Sequence, residues 1–240
     1  MTLPATNPNL VPGHEIKVSD IEIQTGETNT KAYIAQPSAA GSRPGVIVIH
    51  ENRGLVPYIR DVADALASSG YVAVAPDLLS REGGTASVPD VPPVLSEIPL
   101  ERHVGDLQRV AHYLQSQPGV SRIGVMGFCF GGAVTWLFAT ANKDISAAVP
   151  FYGSNPPIEA VPNISAAVFA VYGELDERIN QGIPAITEAL NSTDITHDMK
   201  VYPKAQHAFH NHTNAERYEA KAASDAWADA LKWLDLHLQK

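Results

Sequence analysis

Residues 123–141 read IGVMGFCFGGAVTWLFATA, and this stretch decides the fold. The apolar run 123–126 is typical of a buried strand, and residues 133–141 have the length and apolar character of a helix. Between them, Cys129 stands in the glycine-flanked turn 127–132. Strand, tight turn and helix in this order predict a nucleophile elbow, which exposes its central side chain at the top of a sheet.

The central residue of this turn is the only cysteine in the chain. A thiol at a helix N-terminus and beside a histidine is favoured as thiolate, the reactive form. We therefore interpret Cys129 as the nucleophile of an acyl transfer. The alternatives are a small buried apolar residue and a redox-sensing thiol, which would need a second chain because no resolving cysteine is present.

Composition restricts the class of protein. The chain has 240 residues, of which 45% are hydrophobic and 18% charged, so it can bury a large core. A formal charge of −9 argues against a nucleic-acid partner. No stretch reaches the roughly 18 apolar residues of a membrane span. With one cysteine and no apolar segment after Met1, we expect a cytoplasmic protein without a signal peptide.

Alternating strand and helix patterns run through most of the chain. Residues 16–23 and 32–36, around a turn at 25–30, predict an antiparallel hairpin. Short, continuously apolar runs predict buried parallel strands at 46–49, 71–75, 123–126, 147–151 and 168–172. Helices are expected at 59–69, 100–115, 130–141 and 183–190, and a last strand at 198–202 precedes a closing helix. A capping box of Thr213 and Glu216 is expected at the start of that helix.

This pattern predicts a single α/β domain over residues 1–240, and the nucleophile elbow within it predicts the fold of an α/β-hydrolase. Its central sheet is expected to be mostly parallel, entered through the N-terminal hairpin, with helices on both faces. Residues 1–13 are expected to form an irregular arm. The proline-rich stretch 82–99 is expected to be a long loop at the active site.

A thiol nucleophile requires a base, and the base requires an orienting acceptor. In this topology the order is nucleophile, acid and histidine, each just beyond a strand end. Asp176 and His207 occupy those positions, with Glu174 and Glu177 as competitors for the acid. The amides of Phe130 and Asn52 are expected to form the oxyanion hole. A zinc site at His207 and its neighbours His210 and His212 is the weaker alternative, because ligand spacing is missing.

The chain resembles the dienelactone hydrolase family, a cysteine-using branch of the α/β-hydrolases. The matching pieces span most of the sequence: His50-Glu51-Asn52-Arg53-Gly54, Ala75-Pro76-Asp77-Leu78, Arg81, the turn at 127–132, Tyr172-Gly173 with Asp176, and His207-Ala208-Phe209.

The resemblance implies a Cys129-Asp176-His207 triad. It also implies that the Glu51 carboxylate takes the thiol proton when substrate arrives, and that Arg81 grips a substrate carboxylate. The family's second carboxylate-binding arginine is replaced by Asn211, which we expect, with His210, to contact substrate instead.

The predicted function is hydrolysis of a small lactone or ester through a thioester on Cys129, with no metal or cofactor. A general carboxylesterase or thioesterase is the alternative within enzymes, and a non-catalytic ligand-binding protein is the alternative outside them. The expected partner is a small lactone or ester, which could carry a carboxylate. The protein is expected to be a monomer or a weak homodimer, with neither nucleic acid nor membrane as partner.

Overall fold

Eight strands form one central sheet in the computed structural model, which describes residues 13–24 and 29–239. In chain order the strands are β1 (Ile16–Gln24), β2 (Asn29–Pro37), β3 (Arg43–Ile49), β4 (Val72–Pro76), β5 (Val120–Phe128), β6 (Ile145–Phe151), β7 (Ala167–Gly173) and β8 (His197–Tyr202). Their order across the sheet is β1-β2-β4-β3-β5-β6-β7-β8. The pairs β1/β2 and β2/β4 are antiparallel, and the other pairs are parallel.

Helices connect the strands of the sheet. They are α1 (Pro57–Ser68), α2 (Val91–Glu97), α3 (Leu100–Ser116), α4 (Phe130–Ala141), α5 (Glu177–Asn180), α6 (Ile183–Asn191) and α7 (Ala220–Leu238). Short 3-10 turns lie at Ser80–Glu82, Thr85–Ser87 and Ile158–Asn163. Among the described residues, no helix combines the length and the apolar character that crossing a membrane requires.

Two apolar layers, one on each face of the sheet, hold the fold together. Central strands such as β7 are buried at every position, which explains why they read as continuous apolar runs. One layer includes Leu107 and Trp136 from α3 and α4, and the other includes Leu66 and Leu234 from α1 and α7. Each fully buried Leu contributes roughly 1.5–3 kcal/mol relative to exposure, so burial on both faces fixes the strand ends in place.

The predicted α/β-hydrolase fold is confirmed. The hairpin β1/β2 is present, the five predicted parallel strands neighbour one another as β3 to β7, and helix α4 has the predicted bounds. The predicted arm lies outside the described residues except for its last residue. The turn at 25–30 also lies largely outside them.

Two local predictions were wrong. The stretch 82–99 is not a plain loop, because it contains α2, whose first turn accommodates prolines that need no backbone donor there. The closing helix does not begin at a Thr213 capping box. It begins at Ala220, where the Glu219 side chain accepts a hydrogen bond from the Lys221 amide. The Thr213 hydroxyl instead donates to Asn211 Oδ1 at 2.7 Å, which uses it in a turn.

Candidate active site

The turn between β5 and α4 has the strained geometry of a nucleophile elbow. Cys129 has φ 55° and ψ −113°, a conformation that non-glycine residues rarely adopt and that surrounding structure must enforce. The glycines around it permit close backbone approach. A Cβ on Gly127 would lie 2.2 Å from the Gly131 carbonyl oxygen, and one on Gly131 would lie 2.3 Å from that of Ile49. The thiol is half-buried at the carboxyl end of the sheet.

We expect Gly131→Ala to destabilise the protein, because the new methyl group would meet the rigid backbone of β3. The expected loss is about 2 kcal/mol or more in the free energy of unfolding, measured by urea denaturation. Gly105→Ala is the matched control in α3, where a Cβ would meet nothing closer than the Arg109 side chain at 3.8 Å. It should stabilise by about 0.4–1 kcal/mol. Equal effects at both positions would contradict this account of the elbow.

Cys129, His207 and Asp176 form a continuous hydrogen-bonded set. His207 Nε2 lies 3.0 Å from Cys129 Sγ, and His207 Nδ1 lies 2.5 Å from Asp176 Oδ2. Burial alone would lower the pKa of His207, but the bonds to Asp176 and Cys129 raise it to about 9. The rival acids are placed differently: the Glu174 carboxylate accepts from the Lys204 amide, and Glu177 is exposed.

Glu51 lies in the same cavity as the thiol and is only 7% exposed. Its Oε2 accepts a hydrogen bond from Asn211 Nδ2 at 2.7 Å. Within the described residues its Oε1 has no hydrogen-bond partner. Burial raises the pKa of this carboxyl above its ordinary value, although the Asn211 bond and the charge of His207 oppose the rise. A carboxyl with a raised pKa is a stronger base than an ordinary one, so it is suited to accept a proton from a neighbouring group.

The two expected oxyanion donors border the thiol. Phe130 is the first residue of α4, where an amide has no partner within its own helix. Asn52 lies in the cavity wall, in a turn closed by the Gly54 amide donating to the Glu51 carbonyl at 3.2 Å. The preceding side chain holds this turn, since His50 Nδ1 lies 2.7 Å from the Glu51 carbonyl oxygen. The turn is thus preorganised.

Arg81 does not face the thiol. Its guanidinium lies 2.6 Å from Asp106 Oδ1, on helix α3, and Arg109 binds the same carboxylate oxygen. Arg81 is not among the residues that line the cavity containing Cys129. In this geometry its guanidinium is therefore engaged by Asp106, outside that cavity.

His210 cannot contact substrate as expected, because it is fully buried. Its Nδ1 lies 2.8 Å from the Tyr58 hydroxyl, and Phe128 and Trp227 pack against its ring. Burial is the main cause that lowers the pKa of His210 to about 3, and the charge of the nearby His212 adds to this effect. Asn211 lines the cavity, but its amide is bonded to Glu51.

The three neighbouring histidines do not share a metal-like ligand set. His207 contacts Cys129, His210 contacts Tyr58, and His212 Nε2 lies 3.2 Å from Asp61 Oδ2. Across residues 13–24 and 29–239, no three His, Cys, Asp or Glu side chains are grouped so as to hold a metal ion.

Sequence reasoning missed Tyr152, which directly follows β6. Its ring meets that of His207 edge to face at 5.2 Å, and its φ of 39° marks a second strained position near Cys129. Burial, and then the proximity of Tyr58 and Glu51, raise its pKa well above the ordinary value. Its place at the carboxyl end of a central parallel strand is the signal that could have identified it, since such ends converge.

Sequence reasoning also missed three arginines in the cavity wall. The cavity has a volume of about 850 Å³, and Arg53, Arg178 and Arg217 line it together with Cys129 and His207. Arg53 follows Glu51 by two residues, and Arg178 follows Asp176 by two residues. Their closeness in sequence to predicted site residues was a signal that could have identified them.

Comparison with known proteins identifies relatives across the whole fold. The model of the Dienelactone hydrolase family matches residues 30–238. A protein from Escherichia coli O157:H7 named "Putative carboxymethylenebutenolidase" is 36% identical over 222 residues, covering 85% of this chain and 82% of the relative.

Solved structures of dienelactone hydrolases also resemble this chain. The crystal structure of "Putative Dienelactone Hydrolase" from Klebsiella pneumoniae subsp. pneumoniae MGH 78578 superposes with a TM-score of 0.86 at 32% identity, covering 93% of this chain and 100% of that one. Dienelactone hydrolase from Anabaena variabilis ATCC 29413 gives a TM-score of 0.75 at 20% identity, covering 94% and 100%. At that identity the second likeness shows the fold alone.

Proposed function

The chain belongs to the dienelactone hydrolase family and is a hydrolase of carboxylic esters, and from this premise we propose that it opens small lactones or esters through a thioester on Cys129. The observation that carries the proposal is the hydrogen-bonded set of Cys129, His207 and Asp176 on a strained elbow. The small-molecule substrate enters through the cavity that Cys129 and His207 line.

In the proposed first step, the Cys129 thiolate attacks the substrate carbonyl carbon and forms a carbon–sulfur bond. The amides of Phe130 and Asn52 donate to the oxygen that becomes negative. His207, whose pKa is raised by its bonds to Asp176 and Cys129, is protonated in this step and gives its proton to the departing alkoxide. The ring opens, or the alcohol leaves, and His207 becomes neutral.

The thiol proton needs a different acceptor, because a protonated His207 cannot take it. Glu51 suits this role, since it lines the same cavity and has an unpartnered oxygen among the described residues. In the second step water attacks the thioester, and the neutral His207 takes its proton. The thiolate then leaves and recovers the proton held by Glu51, so that the resting enzyme is restored.

The test of this function is capture of the thioester. Purified protein is mixed with p-nitrophenyl acetate, quenched in acid within one turnover, and digested. We expect the peptide containing Cys129 to carry one acetyl group that hydroxylamine removes, because a thioester reacts with this nucleophile. Acetylation at another residue, or turnover without any acetylated Cys129, would overturn the proposal.

We expect Glu51→Gln to lower kcat by about 10²–10⁴-fold, the usual contribution of a general base. The acid side of the pH profile tests whether Glu51 must be ionised for activity. In the wild type, kcat/KM should fall as pH drops through the pKa of Glu51, which burial raises above its ordinary value of 4.5. The variant should lack this limb, because glutamine does not titrate there. Glu159→Gln, an exposed carboxylate outside the cavity, is the control and should keep the wild-type profile.

A further inference from the structure

Arginines from three different parts of the chain line the cavity that contains Cys129. Arg53 comes from the turn after β3, Arg178 from α5, and Arg217 from the segment before α7. All three are exposed at the cavity wall.

Within the described part of the chain, these guanidinium groups are not held in ion pairs, although the charge of Arg53 acts on the Glu51 carboxyl. Over residues 13–24 and 29–239, none of the three forms a salt bridge. Arg60, by contrast, is paired with Asp20, and Arg81 with Asp106. The cavity therefore presents free fork-shaped donors, which match carboxylate and phosphate oxygens two at a time.

The cavity is also positive in an acidic protein. The chain carries a formal charge of −9. The lining contains three arginines against two carboxyl groups, Glu51 and Glu216, so basic side chains outnumber acidic ones along it. A concave site of one sign concentrates ligands of the opposite sign.

We propose that this enzyme is selective for esters or lactones that carry at least two negative charges, as a phosphate or as two carboxylates, held by Arg53, Arg178 and Arg217. The inference rests on the proposed function and adds the substrate class. A single carboxylate can pair fully with one guanidinium group, whereas three guanidinium groups from different parts of the chain can bind a ligand with more negative charge. The volume of about 850 Å³ lies toward the upper end of the range for ligand pockets, so it has room for such a group beside the reacting ester.

Selectivity can be measured with three esters of one leaving group. These are p-nitrophenyl acetate, the mono-p-nitrophenyl ester of glutarate, and the mono-p-nitrophenyl ester of tricarballylate, which bear zero, one and two carboxylates. We expect kcat/KM to rise with charge. Arg178→Gln and Arg217→Gln should each lower kcat/KM for the doubly charged ester about tenfold or more and change the neutral ester less than about twofold. Arg53→Gln also removes a charge that acts on Glu51, so it should slow both esters, and the doubly charged one more.

Two further variants sharpen the result. Arg122→Gln removes an exposed arginine outside this cavity and should leave the charge preference unchanged. Arg81→Gln removes the arginine that the family resemblance suggested. If the preference disappears in Arg81→Gln alone, or if the three cavity variants slow all esters equally, the proposal is overturned.

Binding without turnover separates this inference from the proposed function. The probes are tricarballylate and inorganic phosphate, titrated by calorimetry into Cys129→Ala protein. Tighter binding of either probe than of acetate, weakened in the Arg178→Gln background, supports the cationic site whatever the nucleophile is. The stronger of the two probes identifies the favoured anion. Binding of both no tighter than acetate would overturn the proposal, even if the ester chemistry at Cys129 is correct.

Discussion

Replacement of Cys129 by alanine is expected to reduce ester hydrolysis by about 10⁴-fold or more, with binding of substrate largely retained. The thiol supplies the bond-forming atom, and loss of a nucleophile removes the covalent route while leaving the oxyanion donors in place. The measurement is the initial rate with a dienelactone and with p-nitrophenyl acetate, each over a range of concentrations. An unchanged fold is checked by circular dichroism and by the urea midpoint.

Cys129→Ser is the matched variant for this experiment. It keeps the shape of the side chain and its position near His207 Nε2, but a serine hydroxyl is far harder to ionise than a thiol. We therefore expect an intermediate loss of rate. Activity in Cys129→Ala within tenfold of the wild type would contradict covalent catalysis, and would leave Glu51 acting on a bound water as the remaining route. If the wild type hydrolyses p-nitrophenyl acetate but not the dienelactone, and this activity needs Cys129, the thiol mechanism stands and the lactone is excluded as a substrate.

The hydrogen-bonded set of Cys129, His207 and Asp176 could be predicted from sequence because the fold itself determines where its members lie. Cys129, Asp176 and His207 each follow a central or edge strand, and the carboxyl ends of parallel strands meet at one edge of the sheet. Their order along the chain is then sufficient to bring them together. Glycines at 127 and 131 added a local steric requirement that a single sequence displays.

Arg81 and His210 could not be placed in the same way. Which way an arginine on a turn extends depends on its tertiary partner, and Asp106 lies 25 residues away on α3. His210 is three residues after His207, but the chain between them turns inward through Ala208, whose φ is 65°. A positive φ at an alanine has no signature in a sequence pattern, so the burial of His210 was not predictable.

The prediction of a capping box at Thr213 was wrong for a related reason. Thr213 and Glu216 have the correct spacing, but capping competes with other bonds that the threonine can make. Asn211 Oδ1 accepts from both the Thr213 amide and its hydroxyl, while Asn211 Nδ2 donates to Glu51. The side chain expected to start a helix thus positions the amide that holds the active-site carboxyl.

Asp176→Asn is expected to lower kcat by about 10⁴-fold while barely affecting the fold. Asparagine has nearly the same shape and still suits the helix-capping position, where Asp176 accepts a hydrogen bond from the Ile179 amide. It cannot, however, offer a carboxylate to His207 Nδ1. The imidazole then loses the bond that sets its tautomer and raises its pKa, so that its proton can reside on the nitrogen facing the thiol. A base in that form cannot receive the proton of the attacking water.

The matched control is Glu177→Gln, which removes an exposed carboxylate from the next residue. It should retain activity within about twofold, since surface charges outside the site contribute little. The pH profile separates positioning from simple structural loss. In the wild type the alkaline limb should reflect the pKa of His207 near 9, and in Asp176→Asn it should move to lower pH because the raising bond is gone. If the alkaline limb of Asp176→Asn stays at the wild-type pH, or if both variants lose rate equally, Asp176 does not orient His207.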